Sequence, residues 1–371
     1  MQTQTINLME IAPGVRHSFQ VIRFGTPGTG PKAYLQAALH ADEVPAILVA
    51  QALKRKLQAL ETSGQLCGEI VLVPYANPVG MTQQLLGQHQ GRFDLRDGGN
   101  FNRHYSDVTS QVATMVGTQL GADADQNAVL IRDGLRKAVS ALSAQHLVQD
   151  MKNRLLQLAV DSDVVLDLHC DHEAVMHLYA LTPQRELAAE LGALLGAEAI
   201  LLATESGDSP FDEACSRPWY ELQRQFPDKP VPQGCFSATI ELRGESDTSH
   251  ELAEQDAGAI VEFLRRRGLL LGDVPALPAP RCQPTLLSGS EPITAPRAGV
   301  VVFHKRPGDR VEAGDVIADL VDASTGAVEA VRCRSGGVLY ARGGARWALP
   351  GKRLGKVAGT SLARTGKLLS P

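Results

Sequence analysis

No Cys-x-x-Cys pair occurs in the 371-residue sequence, and its six cysteines (Cys67, Cys170, Cys215, Cys235, Cys282 and Cys333) stand far apart. This spacing excludes a thiolate zinc ribbon and argues against a disulfide framework, so a reducing, cytoplasmic setting is expected. No apolar run approaches the roughly 18 residues that cross a bilayer. The opening MQTQTINLMEIAPG has neither a charged n-region nor an apolar h-region, so no signal peptide is expected. Positive charge is not in excess: 36 Lys and Arg against 41 Asp and Glu give a net charge of -5. A nucleic-acid or membrane-surface partner is therefore not expected. The one basic cluster, Arg265 to Arg267, closes a helical pattern, where cations suit the helix dipole.

What is present is an ordinary globular balance, 44% hydrophobic and 21% charged, in a chain long enough for two or three domains. Up to about residue 270, short β-branched runs alternate with longer amphipathic segments. FQVIRFG, KAYLQAAL, EIVLVPYA, DVVLDLH, VMHLYAL, AEAILLA and FSATIEL read as strands. Helical periods follow in VPAILVAQALKRKLQALE, across 126–160, and over 184–195 and 251–267. This alternation predicts an α/β domain over 1–272, with a mixed sheet and helices on both faces. Residues 272–296 hold six prolines, which marks 273–289 as a linker. Beyond it, GVVVFH, VIADLV, VEAVRC, GVLYA and GKVAG predict a small all-β barrel or sandwich over 290–371.

The stretch QAALHADEVPA (36–46) poses the functional question, because a core strand gains nothing by ending in an imidazole beside two acids. One reading is a plain helix start, with Asp42 as cap and Glu43 and Pro45 in the first turn. It leaves His40 unexplained. His169 ends another strand, with Asp167 two residues earlier on the same face. Two imidazoles and a carboxylate suit a three-ligand Zn²⁺ site with a fourth position open, and they are too soft a set for Mg²⁺ or Ca²⁺. Asp167 would orient the ring behind the metal. Glu241, on a strand face with Thr239, is the candidate base for a water. The aperiodic, Gly- and Asn-rich segment 84–107 is too long for an idle loop.

Taken in order, His40-x-x-Glu43, NPVG, NFNR, DLH and TIELRG resemble the succinylglutamate desuccinylase/aspartoacylase family of the zinc carboxypeptidase-like superfamily. The resemblance spans roughly 35–245 and implies a zinc-carboxypeptidase-like fold. It implies that His40, Glu43 and His169 bind one zinc ion per chain and that Glu241 is general base and acid. It implies that Asn102 and Arg103 hold a substrate carboxylate, which suits the planar fork of arginine. An upstream arginine would stabilise the oxyanion. Arg92 is favoured because an aromatic follows it, and Arg96 remains as a substrate contact. The implied activity is cleavage of the amide of a small N-acyl amino acid. Where relatives carry glycine after the first histidine, this chain has Ala41.

The alternatives are a zinc carboxypeptidase acting on short peptides, a non-catalytic binding protein on the same fold, and a cysteine hydrolase using Cys170 and His172. His177 reads as a core histidine and His104 as a loop residue. Residues 205–221 read as a polar and aromatic stretch before a helix, with Asp208, Ser209 and Tyr220 as candidates for pocket lining. The C-terminal segment resembles a biotinyl/lipoyl-type barrel, but VDASTGAVEA offers no lysine at its hairpin tip, so a carrier role is not expected. Packing against the cleft, or homo-oligomer formation, is the role left open for it.

Overall fold

The structure is a computed structural model and describes residues 1–369. Its first part contains β1 (Gln2–Asn7), β2 (Ser18–Phe24), β3 (Lys32–Ala37), α1 (Pro45–Thr62) and β4 (Glu69–Val73). Three helices follow, α2 (Thr109–Val116), α3 (Ala124–Ser140) and α4 (Leu147–Ala159). Then come β5 (Val164–Asp171), β6 (Met176–Leu181), α5 (Arg185–Leu195), β7 (Ala199–Ala203), α6 (Phe211–Gln225), β8 (Phe236–Gly244) and α7 (His250–Arg266). With β9 (Thr285–Leu286) these strands form one nine-stranded sheet, ordered β1-β2-β4-β3-β5-β8-β6-β7-β9. The central strands β4, β3, β5 and β8 are parallel, while β6 runs antiparallel to β8.

Both faces of the sheet are covered, which is why the central strands read as continuous apolar runs. Residues of α1, α5 and α7 pack with Leu166 and Leu168 on one side, and residues of α2, α3, α4 and α6 pack with Val165 on the other. The expected mixed α/β sheet with helices on both faces is the observed one. Two local expectations are corrected. Asp42 does not cap α1, whose N-cap is Val44 with no side-chain bond; Asp42 Oδ2 instead accepts from Gly91 N at 3.0 Å. The polar stretch 205–221 does not merely precede a helix: from Phe211 it is α6, with Pro218 inside.

The Pro-rich stretch ends by adding β9, parallel to β7, to the edge of the large sheet. The longer strands that follow are β10 (Glu291–Thr294), β11 (Gly299–Phe303), β12 (Val316–Val321), β13 (Val328–Arg332), β14 (Gly337–Arg342) and β15 (Arg353–Ala358), joined by the two-residue strands Arg310–Val311 and Trp347–Ala348. They form two antiparallel sheets around their own apolar core of Ile317, Leu320, Leu339 and Val357. The short strand Glu173–Ala174, just past β5, pairs with β14 and joins this region to the first. Arg342 and Arg346 both reach Glu173 at 2.5 Å across that seam.

Trp219 of α6 is fully buried, and Gly234 presses on its ring so closely that a Cβ there would lie 2.4 Å away. Gly234→Ala is therefore expected to destabilise the protein by about 1–3 kcal/mol through overpacking. The measurement is urea unfolding, read as a lower midpoint with an unchanged slope.

Candidate metal centre and active site

His40 follows the C-terminal end of β3, and His169 lies near the C-terminal end of β5, its parallel neighbour. Ligand sites of open α/β sheets collect at such ends. The turn into His40 is held from outside. Asn77 of the NPVG motif donates to Leu39 O at 2.9 Å and accepts from Gly80 N at 2.8 Å. Gly91 O accepts from Ala41 N at 3.0 Å, so the long 84–103 loop docks here and delivers Arg92. Gly80 leaves room for the Ala41 side chain, since a Cβ there would lie 2.9 Å from Ala41 Cβ, and Gly91 lets the loop close on the turn's backbone, where a Cβ would lie 2.1 Å from Asp42 N.

Glu43 stands between the two imidazoles. Its Oε1 is 2.8 Å from His40 Nδ1, and its Oε2 is 2.7 Å from His169 Nδ1. The rings sit edge to face with centroids 4.9 Å apart. The outer nitrogens are occupied as well. His40 Nε2 lies 2.9 Å from Asn100 Oδ1, and His169 Nε2 lies 2.9 Å from Asp167 Oδ2. Asp167 is itself held by Gln36 Nε2 at 2.9 Å, and Gln36 by the Tyr34 hydroxyl at 2.8 Å. Ligating imidazoles in proteins are oriented in this way, one nitrogen inward and the other fixed by an oxygen.

The three ligand atoms lie within 4.8 Å of one another and all three residues are buried. A borderline-soft divalent ion suits this donor set, so the residues present fit a metal. Burial opposes ionisation of Glu43, yet the charges of His40 and His169 hold its carboxyl well below the ordinary range. Burial, then Arg92, lowers the His40 pKa. Burial works the same way on His169, but Asp167 and Glu43 outweigh it and raise that ring well above its ordinary value.

Arg92 Nη1 is 3.1 Å from Glu43 Oε1 and 3.2 Å from His40 Nδ1, so this arginine belongs to the site. Arg96 instead forks onto Asp94, with Nη2 2.5 Å from its Oδ2. It does not line the cavity. Glu241 lies directly beside His169 in the β5–β8 register and lines the same cleft. Burial and the nearby Glu43 charge push its carboxyl up to about 8, and its Oε2 is a buried atom with no hydrogen-bond partner among the described residues. Asn102 and Arg103 also line the cleft; Asn102 Oδ1 accepts from Phe211 N at 2.9 Å, which ties the motif to the start of α6.

The cleft encloses about 890 Å³ including its open mouth. Sequence reasoning missed much of its wall. Asp212, Glu213 and Ser216 of α6 line it, as do Tyr340, Arg353, Lys356 and Arg364 from the C-terminal region. Asp208, Ser209 and Tyr220 do not. Burial raises Asp212 to about 6 and Glu213 to about 7. His172 is exposed and pairs with Glu245 at 2.7 Å, away from the trio. His177 is buried between Tyr179 and Tyr340, with burial lowering it to about 4. Burial, reinforced by Glu43, pushes the Cys170 thiol far up, which disfavours it as a nucleophile. The backbone signal for Asn100 was present in the NFNR neighbourhood, but nothing marked it apart from other loop asparagines.

The sequence model of the succinylglutamate desuccinylase/aspartoacylase catalytic domain matches residues 29–266. The chain belongs to this family. Among solved structures, a protein of the same family from Shewanella amazonensis SB2B is 26% identical, with a TM-score of 0.84 over 96% of this chain and 98% of that one. A protein from Shewanella frigidimarina named for the same two activities is 23% identical, with a TM-score of 0.86 over 97% of each chain. An aspartoacylase family protein from Mesorhizobium loti is 18% identical, with a TM-score of 0.63 over 98% of this chain and 95% of that one. These last two share the fold. Comparison with curated protein sequences finds no match. Among the described residues no helix is long and apolar enough to cross a membrane.

Asn100 touches His40 from behind and not the ligand position itself. Asn100→Ala is expected to weaken metal binding by about 10- to 100-fold without abolishing it. Competition with a chromophoric chelator measures this; unchanged affinity would mean that the Asn100 contact does not orient the ring.

Proposed function

We propose that the protein is a zinc-dependent amidohydrolase that removes the acyl group from an N-acyl amino acid or a similar small carboxylate-bearing molecule. The observation that carries this reading is the placement of Glu241, a half-buried carboxylate of raised pKa, beside the His40–Glu43–His169 trio in one cleft with Arg92 and Arg103. Zinc on the trio would act as a Lewis acid toward the amide carbonyl and lower the pKa of a water toward about 7. Glu241 takes the proton of the attacking water and hands it to the leaving nitrogen. Arg92 faces the negative charge that develops on the carbonyl oxygen, a contribution typically worth about 3 kcal/mol per donor. Asn102 and Arg103 hold the carboxylate of the substrate.

Family membership supports the deacylase reading. The roof of C-terminal residues over the cleft weighs against a peptidase that admits long chains. Within the same proposal, 1–272 is the catalytic unit and 290–371 a β module that closes it, and six free cysteines suit a cytoplasmic location.

Glu241→Gln is expected to lower kcat by about 10²- to 10⁴-fold while metal content is retained. Retained activity would refute the base assignment. The pH profile is a second check. A base must be deprotonated, so activity rises with pH through its pKa. That pKa is lifted from an ordinary 4.5 to about 8, and a bound cation pulls it partly back, so the rising limb of kcat/KM is expected between those values. A screen of acetyl-, succinyl- and peptidyl-amino acids, with metal analysis, tests the reaction class; no hydrolysis of any N-acyl amino acid would end the proposal.

A further inference from the structure

We propose that Asp212, Glu213 and Ser206 form a subsite for a protonated amine, so that the molecule bound in the cleft carries a free ammonium group in addition to its carboxylate. The inference rests on the reading above only in taking the cleft as the substrate site.

All three residues line the cleft, and all are more than nine-tenths buried, at 6%, 8% and 4% exposure. Asp212 Oδ1, Glu213 Oε2 and Ser206 Oγ are buried atoms without a hydrogen-bond partner among the described residues. The remaining Glu213 oxygen accepts from Ser206 N at 2.8 Å, which draws the serine and the acid together. The two ionised carboxylate oxygens can only accept, and the single Ser206 O–H can serve at most one of them, so a further donor is missing. An ammonium group brings three donors and adds to the positive charge that Arg103 already sets near the two acids, whereas a neutral donor adds none. The first turn of α6 softens the cost of burying the two acids, and the Glu213 amide and the Thr239 hydroxyl reach the Asp212 carboxyl, yet Asp212 Oδ1 and Glu213 Oε2 are left without a partner among the described residues.

The neighbourhood gives the subsite its direction. Asp212 and Glu213 are close enough to help hold up the charge of Arg103 against burial. The Phe211–Asn102 bond fixes the start of α6 against the Asn102–Arg103 pair. A cation that takes a carboxylate therefore stands beside acids that take an ammonium, the pairing that fits an amino acid or diamino acid. On the C-terminal side the wall is basic, with Arg353, Lys356 and Arg364, so the acid pair and Glu241 carry the cleft's negative charge on the other.

The test is calorimetric titration of the purified full-length protein with L-ornithine, L-norleucine and hexanoate. These share a chain length and carry two, one and no ammonium groups. At least one step of this ladder is expected to tighten binding by about tenfold or more, and the step that does so identifies which nitrogen is held. In the Asp212→Asn, Glu213→Gln double variant the three ligands should bind alike. Equal binding of all three to the wild type, no binding of any, or a preference that survives in the double variant would overturn the subsite. The wild-type comparison stands even where the variant fails to fold. Hydrolysis of the N-acyl amino acid panel, with Nα-acetylornithine added, is read separately. Failure of every member refutes the hydrolase reading whatever the titrations show, and cleavage of any one leaves the subsite to be decided by them.

Discussion

A single buried carboxylate organises the centre of this protein. Each Glu43 oxygen meets an imidazole nitrogen, and each has one further partner: Arg92 for Oε1 and the Cys170 amide for Oε2. Removing one partner from such a buried ionic group commonly costs about 3–5 kcal/mol, because the remaining charge is stranded. Segments far apart in the chain, 36–46, 84–103 and 163–171, are therefore held together by the same atoms that suit a cation. Ligand geometry and local stability are one problem here.

The sheet turns that electrostatic demand into positions. In the parallel array of β3, β5 and β8, Ala37 pairs with Leu168, and His169 pairs with Glu241. A register slip of one residue would turn Asp167, His169 and Glu241 into the opposite helical layer, where Leu166, Leu168 and Ile240 now pack. Apolar burial on one face thus fixes which polar residues converge on the other. Behind them the buried chain Tyr34–Gln36–Asp167–His169 leaves the ring little freedom to rotate.

How much of this is legible in the sequence follows from how local each determinant is. His40-x-x-Glu43, the Asp167-x-His169 pair and Glu241 lie at strand ends whose period-2 and apolar patterns are plain, and it is the family resemblance of the ordered motifs that implies their convergence. The choice between Arg92 and Arg96 could not. It depends on how the 84–103 loop docks through Gly91 onto Ala41 and Asp42, and on Asp94 drawing Arg96 away. The helix α6 was obscured by Pro218 and by a polar face that packs inward. With it went Asp212 and Glu213, acids that read as solvated first-turn residues until tertiary structure buries them. Asp42 looked like a cap for the same reason: an acid before a helix has two plausible acceptor roles, and only the position of Gly91 chooses.

The C-terminal β region shows why a barrel-like segment without a carrier lysine can still belong to a catalytic cleft. Lys356 of β15 forms an ion pair with Asp171, at the end of the strand that carries His169, and both Lys356 and Tyr340 line the cleft. Glu173, two residues further, is clasped by Arg342 and Arg346, and β14 adds its own backbone ladder there. These contacts fall within four residues of His169, on the strand whose position sets the trio. A loosely tethered accessory module would have no need of buried charge at that seam, since desolvating Lys356 and Asp171 is costly unless their geometry is kept. Closure of the cleft from this side therefore limits what can approach the His40–Glu43–His169 trio. It also makes the seam, as much as the trio itself, a determinant of the shape of the cleft.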